Sequence, residues 1–314
     1  MSNQHTAAGF QNAMNNLEYK ELPPDKEQQL ENFRRQIDAI DDRLVELLVQ
    51  RIGIVRQVGA MKRGVSPDQC PLRPGREADM VRDIAKRFEN TDFSPAAAAA
   101  IWRLLIGAST AVENELAISV YTPENDDTLY WQAREYFGPF LNVIRQPHVA
   151  RVIGDVMDKK AAVGLVPELH SADTTHWWTN LLGREPHKPS VFAHVPFVHY
   201  DVPGRRNANA LAIGYIKPEA TAEDISLWVL EADANTSQHR LQTAFAESDL
   251  DAQWLNIHSL RPDSRHHLLK INGFIDHDNK SMRRLADQLT SALLQVTCLG
   301  SYAVPFTLKF NPNR

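Results

Sequence analysis

Cysteine is scarce in this sequence, with only Cys70 and Cys298 among 314 residues. The two form neither a Cys-x-x-Cys motif nor a disulfide framework, as expected of a protein in a reducing cytoplasm. An excess of positive charge is also missing, because the formal net charge is −5. A general nucleic-acid-binding protein would be basic, so we expect no nucleic-acid partner.

Long apolar runs are missing as well. The longest, "AAAAAIWRLLIGASTAV", contains Arg103 and stops short of the ~20 apolar residues that span a bilayer. The first residues, "MSNQHTAAGFQNAMNN", lack the basic start and apolar run of a signal peptide. We therefore expect a soluble, cytoplasmic protein with no membrane partner. The closest histidine groups, His266-His267 and His194/His199, have no further ligands at metal spacing, so no metal is expected.

Apolar residues at helical spacing mark the stretch from 27 to about 117, which follows a polar tail over residues 1–26. We predict a first helix from about Glu27 to Arg63, a second that begins near Arg76, and a third with Ser94 as its N-cap. The first would be about 54 Å long, while a compact domain of 90 residues has a radius of gyration of ~12 Å. Such a helix needs a second copy of the chain, which predicts an intertwined homodimer.

Arg51 interrupts the apolar seam of that first helix. Its seam neighbours are apolar: Ile37, Ile40, Leu44, Leu47, Ile54, Val58 and Met61. A buried charge without a partner is costly, so Arg51 either pairs with a glutamate inside a coiled coil or awaits an anion. Lys62 follows eleven residues later on nearly the same helix face. Each of these charges could also belong to an ordinary solvated surface.

After residue 117 the pattern changes to short β-rich runs mixed with helical stretches. Residues 118–221 predict a small α/β lobe, and residues 222–314 follow a β-α-β-β-α-β order, the ferredoxin-like pattern.

Residues 30 to 116 resemble the all-helical chorismate mutase family, which occurs alone or fused to prephenate dehydratase. The likeness lies in "FRRQIDAIDDRLVELLVQR", "VGAMK", "GRE" and "LLIGASTAVE". It implies conversion of chorismate to prephenate by a [3,3] rearrangement in aromatic amino-acid biosynthesis, without cofactor or metal. The enzyme would hold the dicarboxylate in its reactive shape and stabilise charge on the ether oxygen.

The resemblance also implies seven site residues, three catalytic and four substrate-binding: Arg51, Lys62 and Glu113, then Arg34, Arg76, Glu77 and Ser109. Arg51 and Arg76 would bind the carboxylates, with Lys62 near the ether oxygen. Glu77 would hold the ring hydroxyl, and Arg34 would be donated across the homodimer interface.

Glu113 departs from the family, because many relatives carry glutamine there as a hydrogen-bond donor to the ether oxygen. A glutamate donates only when protonated. Burial favours the protonated form and Lys62 favours the carboxylate. We therefore expect activity to rise toward acidic pH.

Residues 118–221 resemble a degenerate prephenate dehydratase, with Leu169 and His170 in place of an acid and an amide. Asn209 and Ala210 stand at the threonine and arginine positions of that family, so dehydratase activity is predicted to be absent. Residues 222–314 resemble a regulatory ACT module, and effector binding there stays open. Two alternatives to the mutase are an isochorismate pyruvate lyase and a non-catalytic protein that senses a dicarboxylate or only dimerises.

Overall fold

The computed structural model describes residues 23–65, 70–113, 115–170, 175–183, 188–202, 204, 208–290 and 292–310. Most of the predicted polar tail therefore lies outside the described residues. The chain divides into two compact units, one that ends at Ile54 and one that begins at Val55. The predicted domain boundaries at 117/118 and 221/222 stay predictions.

In the unit that ends at Ile54, the described residues from Pro24 onward belong to helix α1, Pro24–Val65, which is close to the predicted first helix. Asp25 and Glu27 lie in the first turn, where negative charge complements the helix dipole. The apolar seam side chains are exposed to between 51 and 59 %: Ile37, Ile40, Leu44 and Leu47. A continuous exposed apolar surface of this kind is typical of a site that contacts another molecule.

Two further helices open the second unit, α2 at Pro74–Arg87 and α3 at Pro95–Glu113. Both begin with proline, which suits a first turn because its missing N–H needs no partner there. The Ser94 carbonyl accepts from the Ala98 N–H at 3.0 Å, but the buried Ser94 hydroxyl has no hydrogen-bond partner among the described residues. The predicted side-chain cap at Ser94 is therefore wrong, although the helix starts where expected.

Helix α3 is the one described helix long and apolar enough to cross a membrane by length and composition. Core helices of soluble proteins pass the same test. Here α3 contributes Ala99 and Ile106 to a buried core.

The second unit also holds eleven described strands and four more helices. The helices are α4 Thr128–Phe137, α5 Val149–Met157, α6 Gln238–Glu247 and α7 Lys280–Gln288, with a short 3-10 helix at Trp177–Leu181. The strands are β1 Ala117–Tyr121, β2 Asn142–Gln146, β3 Val163–Pro167, β4 Ser190–Val195, β5 Val198–Asp201, β6 Ala210–Gly214, β7 Asp224–Asp233, β8 Ala252–Arg261, β9 Ser264–Asn272, β10 Leu293–Ala303 and β11 Phe306–Lys309.

In the described part of the chain, nine strands form one mixed sheet in the order β2-β1-β3-β6-β4-β10-β7-β9-β8. Strands β1, β2 and β3 pair in parallel, while β6 runs antiparallel to both β3 and β4. At the other end of the sheet, β10 and β7, β7 and β9, and β9 and β8 pair in antiparallel fashion. Strand β11 pairs with β5 in a separate two-stranded sheet.

The sequence order β7-α6-β8-β9-α7-β10 confirms the predicted β-α-β-β-α-β arrangement. These strands are not a separate sheet, however, because β10 also pairs with β4 at one point, Gly300 opposite Val191. Gly300 has φ +132°, and a Cβ there would lie 1.9 Å from the Val191 carbonyl oxygen. Only glycine permits this approach, which joins both halves into one sheet.

Three buried cores cover the faces of the nine-stranded sheet. One packs α2, α3 and α4 against strands of its first half, as Val81, Ile106 and Phe137 show. A second lies under α5 and the 3-10 helix, and a third under α6 and α7. The helices α2 and α3 therefore pack on the α/β region, and they carry four of the predicted site residues, Arg76, Glu77, Ser109 and Glu113.

Candidate active site

Lys62 and Glu113 form an ion pair in the second unit. Lys62 lies near the end of α1 and Glu113 is the last residue of α3, 51 positions away. The Lys62 ammonium donates to Glu113 Oε2 at 3.2 Å. The two side chains are 32 % and 14 % exposed, so the pair is partly shielded from water. A cation and a carboxylate, both predicted to be catalytic, thus share one partly buried position.

Glu77, the predicted ligand of the ring hydroxyl, is held at both of its carboxylate oxygens. The Arg73 backbone N–H donates to Oε1 at 3.1 Å, and the Arg103 guanidinium donates to Oε2 at 2.7 Å. The side chains of Glu77 and Arg103 are only 10 % and 8 % exposed. Because a carboxylate has about four acceptor positions, Glu77 retains capacity for a further hydrogen bond.

Arg103 is a member of this cluster that the sequence analysis did not identify. Its Nε also donates to the Tyr136 carbonyl at 2.8 Å, and its guanidinium lies 4.2 Å from the centre of the Tyr136 ring. Burial is the largest single influence and lowers the pKa of Arg103, but the charge and hydrogen bond of Glu77, together with Tyr136 and Tyr200, raise the net pKa. The signal was available, since an arginine inside an apolar helical run needs a buried partner.

Cys70 lies in the electrostatic field of the same groups. Burial raises the pKa of its thiol to about 11, and the charges of Glu77 and Glu113 add to that rise. Lys62 and a hydrogen bond with the Leu72 backbone act in the opposite direction. Cys70 therefore stays a neutral thiol at physiological pH and is not an activated nucleophile.

Arg76 and Ser109 differ in their surroundings. The Arg76 side chain is exposed, and its backbone N–H donates to Glu219 Oε2 at 3.3 Å. Glu219 also accepts from the Arg73 side chain, so it caps the start of α2. Ser109 is buried, and its hydroxyl donates to the Leu105 carbonyl of its own helix at 2.7 Å.

Arg34 and Arg51 belong to the unit that ends at Ile54. Arg34 is 64 % exposed and lies 3.7 Å from the Glu31 carboxylate, one helical turn away. Arg51 is half-buried on the same helix. Their predicted roles, substrate contact by Arg51 and donation of Arg34 to a second copy, stay predictions.

A second polar cleft of about 620 Å³ lies at the end of β3, in the region of the predicted degenerate dehydratase. Its lining comprises Pro167, Glu168, His170, Thr175, Trp177, His199, Ala208 and Asn209. Glu168 accepts from His194 at 3.3 Å and from Lys270 at 3.5 Å. Burial raises the pKa of Glu168, but the hydrogen bond and charge of His194, with Lys270, lower it to about 2.

Among the residues that the structure describes, no group of three or more His, Cys, Asp or Glu side chains could hold a metal ion. This holds for the residues around Lys62 and Glu77 and for those around Glu168.

Comparison with known proteins matches part of this chain to a family. Residues 33–114 match the family chorismate mutase type II, and these residues carry α2, α3 and most of α1. This confirms the resemblance expected from the sequence for residues 30 to 116.

A curated relative matches over a longer segment. The bifunctional chorismate mutase/prephenate dehydratase of Aquifex aeolicus (strain VF5) is 25 % identical over 141 residues, which are 45 % of this chain and 39 % of the relative. The chain thus spans about two fifths of the length of that relative.

Solved structures resemble more of the chain at lower identity. Prephenate dehydratase from Streptococcus mutans aligns with 61 % of this chain and 99 % of its own, with a TM-score of 0.45 and 16 % identity. A protein described as a novel type of quorum quenching acylase aligns with 61 % of this chain and 96 % of its own, with a TM-score of 0.45 and 12 % identity. Likeness at this level says nothing about activity.

Proposed function

We propose that this protein is a chorismate mutase, an isomerase that converts chorismate to prephenate. The observation that carries the proposal is the Lys62–Glu113 pair, 3.2 Å apart at the junction of α1 and α3. It lies within the segment that matches the chorismate mutase type II family. An electrostatic site of this kind suits a rearrangement that needs no nucleophile and no redox step.

The chemistry follows from the charges. Chorismate carries two carboxylates, and the breaking C–O bond leaves negative charge on the ether oxygen. Lys62, 32 % exposed, supplies a cation that stabilises this charge more strongly in the transition state than in the substrate. Glu77, fixed by Arg103, accepts from the ring hydroxyl with its remaining acceptor capacity.

The proposal includes a homodimer. Exposed apolar side chains along α1, such as Ile37, Ile40 and Leu47, form the seam that a second copy would cover. Full burial of one such side chain is worth about 1.5–3 kcal/mol, so a continuous seam can supply a stable interface. In this dimer Arg34 would serve the site of the neighbouring copy.

The test is the loss of chorismate absorbance on addition of pure protein. We expect turnover that Lys62→Met lowers by at least about 100-fold, in the range known for the loss of one donor to a developing oxyanion. Arg51→Ala is expected to abolish turnover as well. Lys86→Met, at an exposed position of α2, is the matched control and should leave the rate unchanged.

If no turnover is detected over the whole range from pH 5 to 8, mutase activity is excluded. It would favour a protein that binds a dicarboxylate without converting it. A dimer would be tested separately by light scattering, where Ile40→Glu should yield monomers.

For the second cleft we propose no dehydratase activity. Its lining includes His170 and Asn209. By the resemblance to the dehydratase family, these two residues, with Leu169 and Ala210, stand where that family has an amide, a threonine, an acid and an arginine. Formation of phenylpyruvate from prephenate at neutral pH would contradict this. Residues 222–314 are proposed to be an ACT-like module, and the protein is proposed to work in the cytoplasm.

A further inference from the structure

A separate cleft of about 490 Å³ lies between α3, α4 and the segment that joins β4 to β5. Its walls are mostly apolar and aromatic, formed among others by Leu104, Trp131 and Phe197. Trp131 is 62 % exposed, whereas Phe197 is buried, so the cleft leads from solvent into the interior. Its volume suits a small organic molecule.

Two buried polar side chains line this apolar cleft. Arg103 is 7 % exposed and Gln132 is 5 % exposed. Among the described residues, Nη1 of Arg103 and both amide atoms of Gln132 have no hydrogen-bond partner. A buried polar group left in this state costs about 1–3 kcal/mol, and three such atoms at one cleft need an explanation. A ligand that accepts hydrogen bonds from the two donors among them, Arg103 Nη1 and the Gln132 amide nitrogen, would supply an explanation for those two atoms.

The hydrogen-bond donors at the cleft favour a head group that accepts hydrogen bonds. Arg103 and Arg134 both line the cleft with one carboxylate, Glu135, and Arg103 is also paired with the Glu77 carboxylate. Arg103 Nη2 is occupied by Glu77 and its Nε by a backbone carbonyl, which leaves Nη1 as the available donor. The Gln132 amide offers a second donor. A carboxylate can accept from both, because it has two oxygens and no donor of its own.

We propose that this cleft binds a small aromatic carboxylate, with the ring against Trp131 and Phe197 and the carboxylate on Arg103 and Gln132. The same guanidinium fixes Glu77, so occupation of the cleft is coupled to the candidate active site. This coupling is the part that depends on the proposed function. Binding itself does not.

The binding test is isothermal titration calorimetry of the full chain with 3-phenylpropanoate. The matched ligand is 3-phenyl-1-propanol, which keeps the ring and lacks the carboxylate. We expect the carboxylate to bind at least about tenfold more tightly, as a hydrogen bond to a charged group implies. Equal affinity for both ligands, or no binding of the carboxylate, would overturn the proposal.

Three variants locate the site. Ala100→Phe fills the cleft from an exposed position of α3 and should abolish binding, while Gln132→Leu should weaken it about tenfold. Ala246→Phe makes the same change at an exposed position of α6, away from the cleft, and should bind as the unaltered protein does. Binding that survives Ala100→Phe would place the ligand elsewhere.

The coupling is tested in the chorismate assay. Saturating 3-phenylpropanoate should change KM for chorismate at least about fivefold, a typical coupling between two sites, and Ala100→Phe should remove this response. Unchanged kinetics with a ligand bound by calorimetry would overturn the coupling. If the protein has no mutase activity, calorimetry still shows whether the cleft binds the carboxylate. Failure of the proposed function and failure of the binding proposal can therefore be told apart.

Discussion

Replacement of Glu113 by glutamine tests the chemistry of the Lys62–Glu113 pair directly. The glutamate accepts from the Lys62 ammonium at 3.2 Å and is 14 % exposed. As a carboxylate it cannot donate a hydrogen bond to an ether oxygen, and its charge opposes the negative charge that develops there. Glutamine has nearly the same shape and carries a donor at every pH.

The expected magnitude follows from the loss of one donor. One hydrogen bond to a developing oxyanion is worth about 10²–10³ in rate. At pH 7.5 the unaltered protein should therefore be slower than Glu113→Gln by up to about 100-fold, and the rise in activity expected toward acidic pH should narrow that difference. Glu113→Gln should be faster at pH 7.5 and nearly independent of pH.

The assay is the rate of chorismate consumption at half-unit steps from pH 5 to 8. Glu115→Gln makes the same chemical change at an exposed position two residues away and serves as the control. It should reproduce the profile of the unaltered protein. A profile of the unaltered protein that is flat over this range, and unchanged in Glu113→Gln, would refute the reasoning.

Three further predictions concern stability. Arg103→Met leaves the buried Glu77 carboxylate without its guanidinium and should lower the free energy of unfolding in urea by about 3–5 kcal/mol; the double variant with Glu77→Gln should lose less than the sum, and additive losses would contradict a direct pair. Gly300→Ala should destabilise the folded protein by at least about 3 kcal/mol, because its Cβ would lie 1.9 Å from a β4 carbonyl oxygen. Gly154→Ala, at a position in α5 with open space around it, should stabilise the protein by up to about 1 kcal/mol. Thermal unfolding compares the two variants, and similar shifts in their melting temperatures would be inconsistent with this geometry. Burial, with the charges of neighbouring basic groups, lowers the pKa of His267 from 6.5 to about 4. Between these two values the unfolded chain binds the proton more readily, so the free energy of unfolding should decrease as the pH is lowered from 6.5 to about 4. His267→Leu should remove up to about 1.4 kcal/mol per pH unit from this slope, and an unchanged slope would argue against a neutral buried imidazole.

The sequence pattern was sufficient to predict secondary-structure elements where the local signals agree. The long helix near the start and the β-α-β-β-α-β order were predictable, because their apolar spacing is regular and turn residues separate the elements. Strand β2, Asn142–Gln146, and helix α5, Val149–Met157, were not predicted, since both are short and β2 lies at the edge of the sheet. The single sheet was not predictable either, because it depends on one close approach at Gly300.

The candidate site shows the same division. Lys62 and Glu113 came from the motif, and the structure places them in contact. The motif did not predict Arg103 as the partner of Glu77, because Arg103 lies 26 positions away and only packing brings the two together. Cys70 carries no motif, and its position near three charged groups follows from its packing against the core that α2 and α3 share.

The position of β10 has a consequence for how the protein is made. Of the nine strands in the large sheet, β10 is the last in chain order, yet it lies between β4 and β7. Without β10, the strand order allows only two half-sheets, β2-β1-β3-β6-β4 and β7-β9-β8, each with an open inner edge. Open edges are templates for wrong pairing, so we expect a chain still lacking β10 during synthesis to be prone to aggregation.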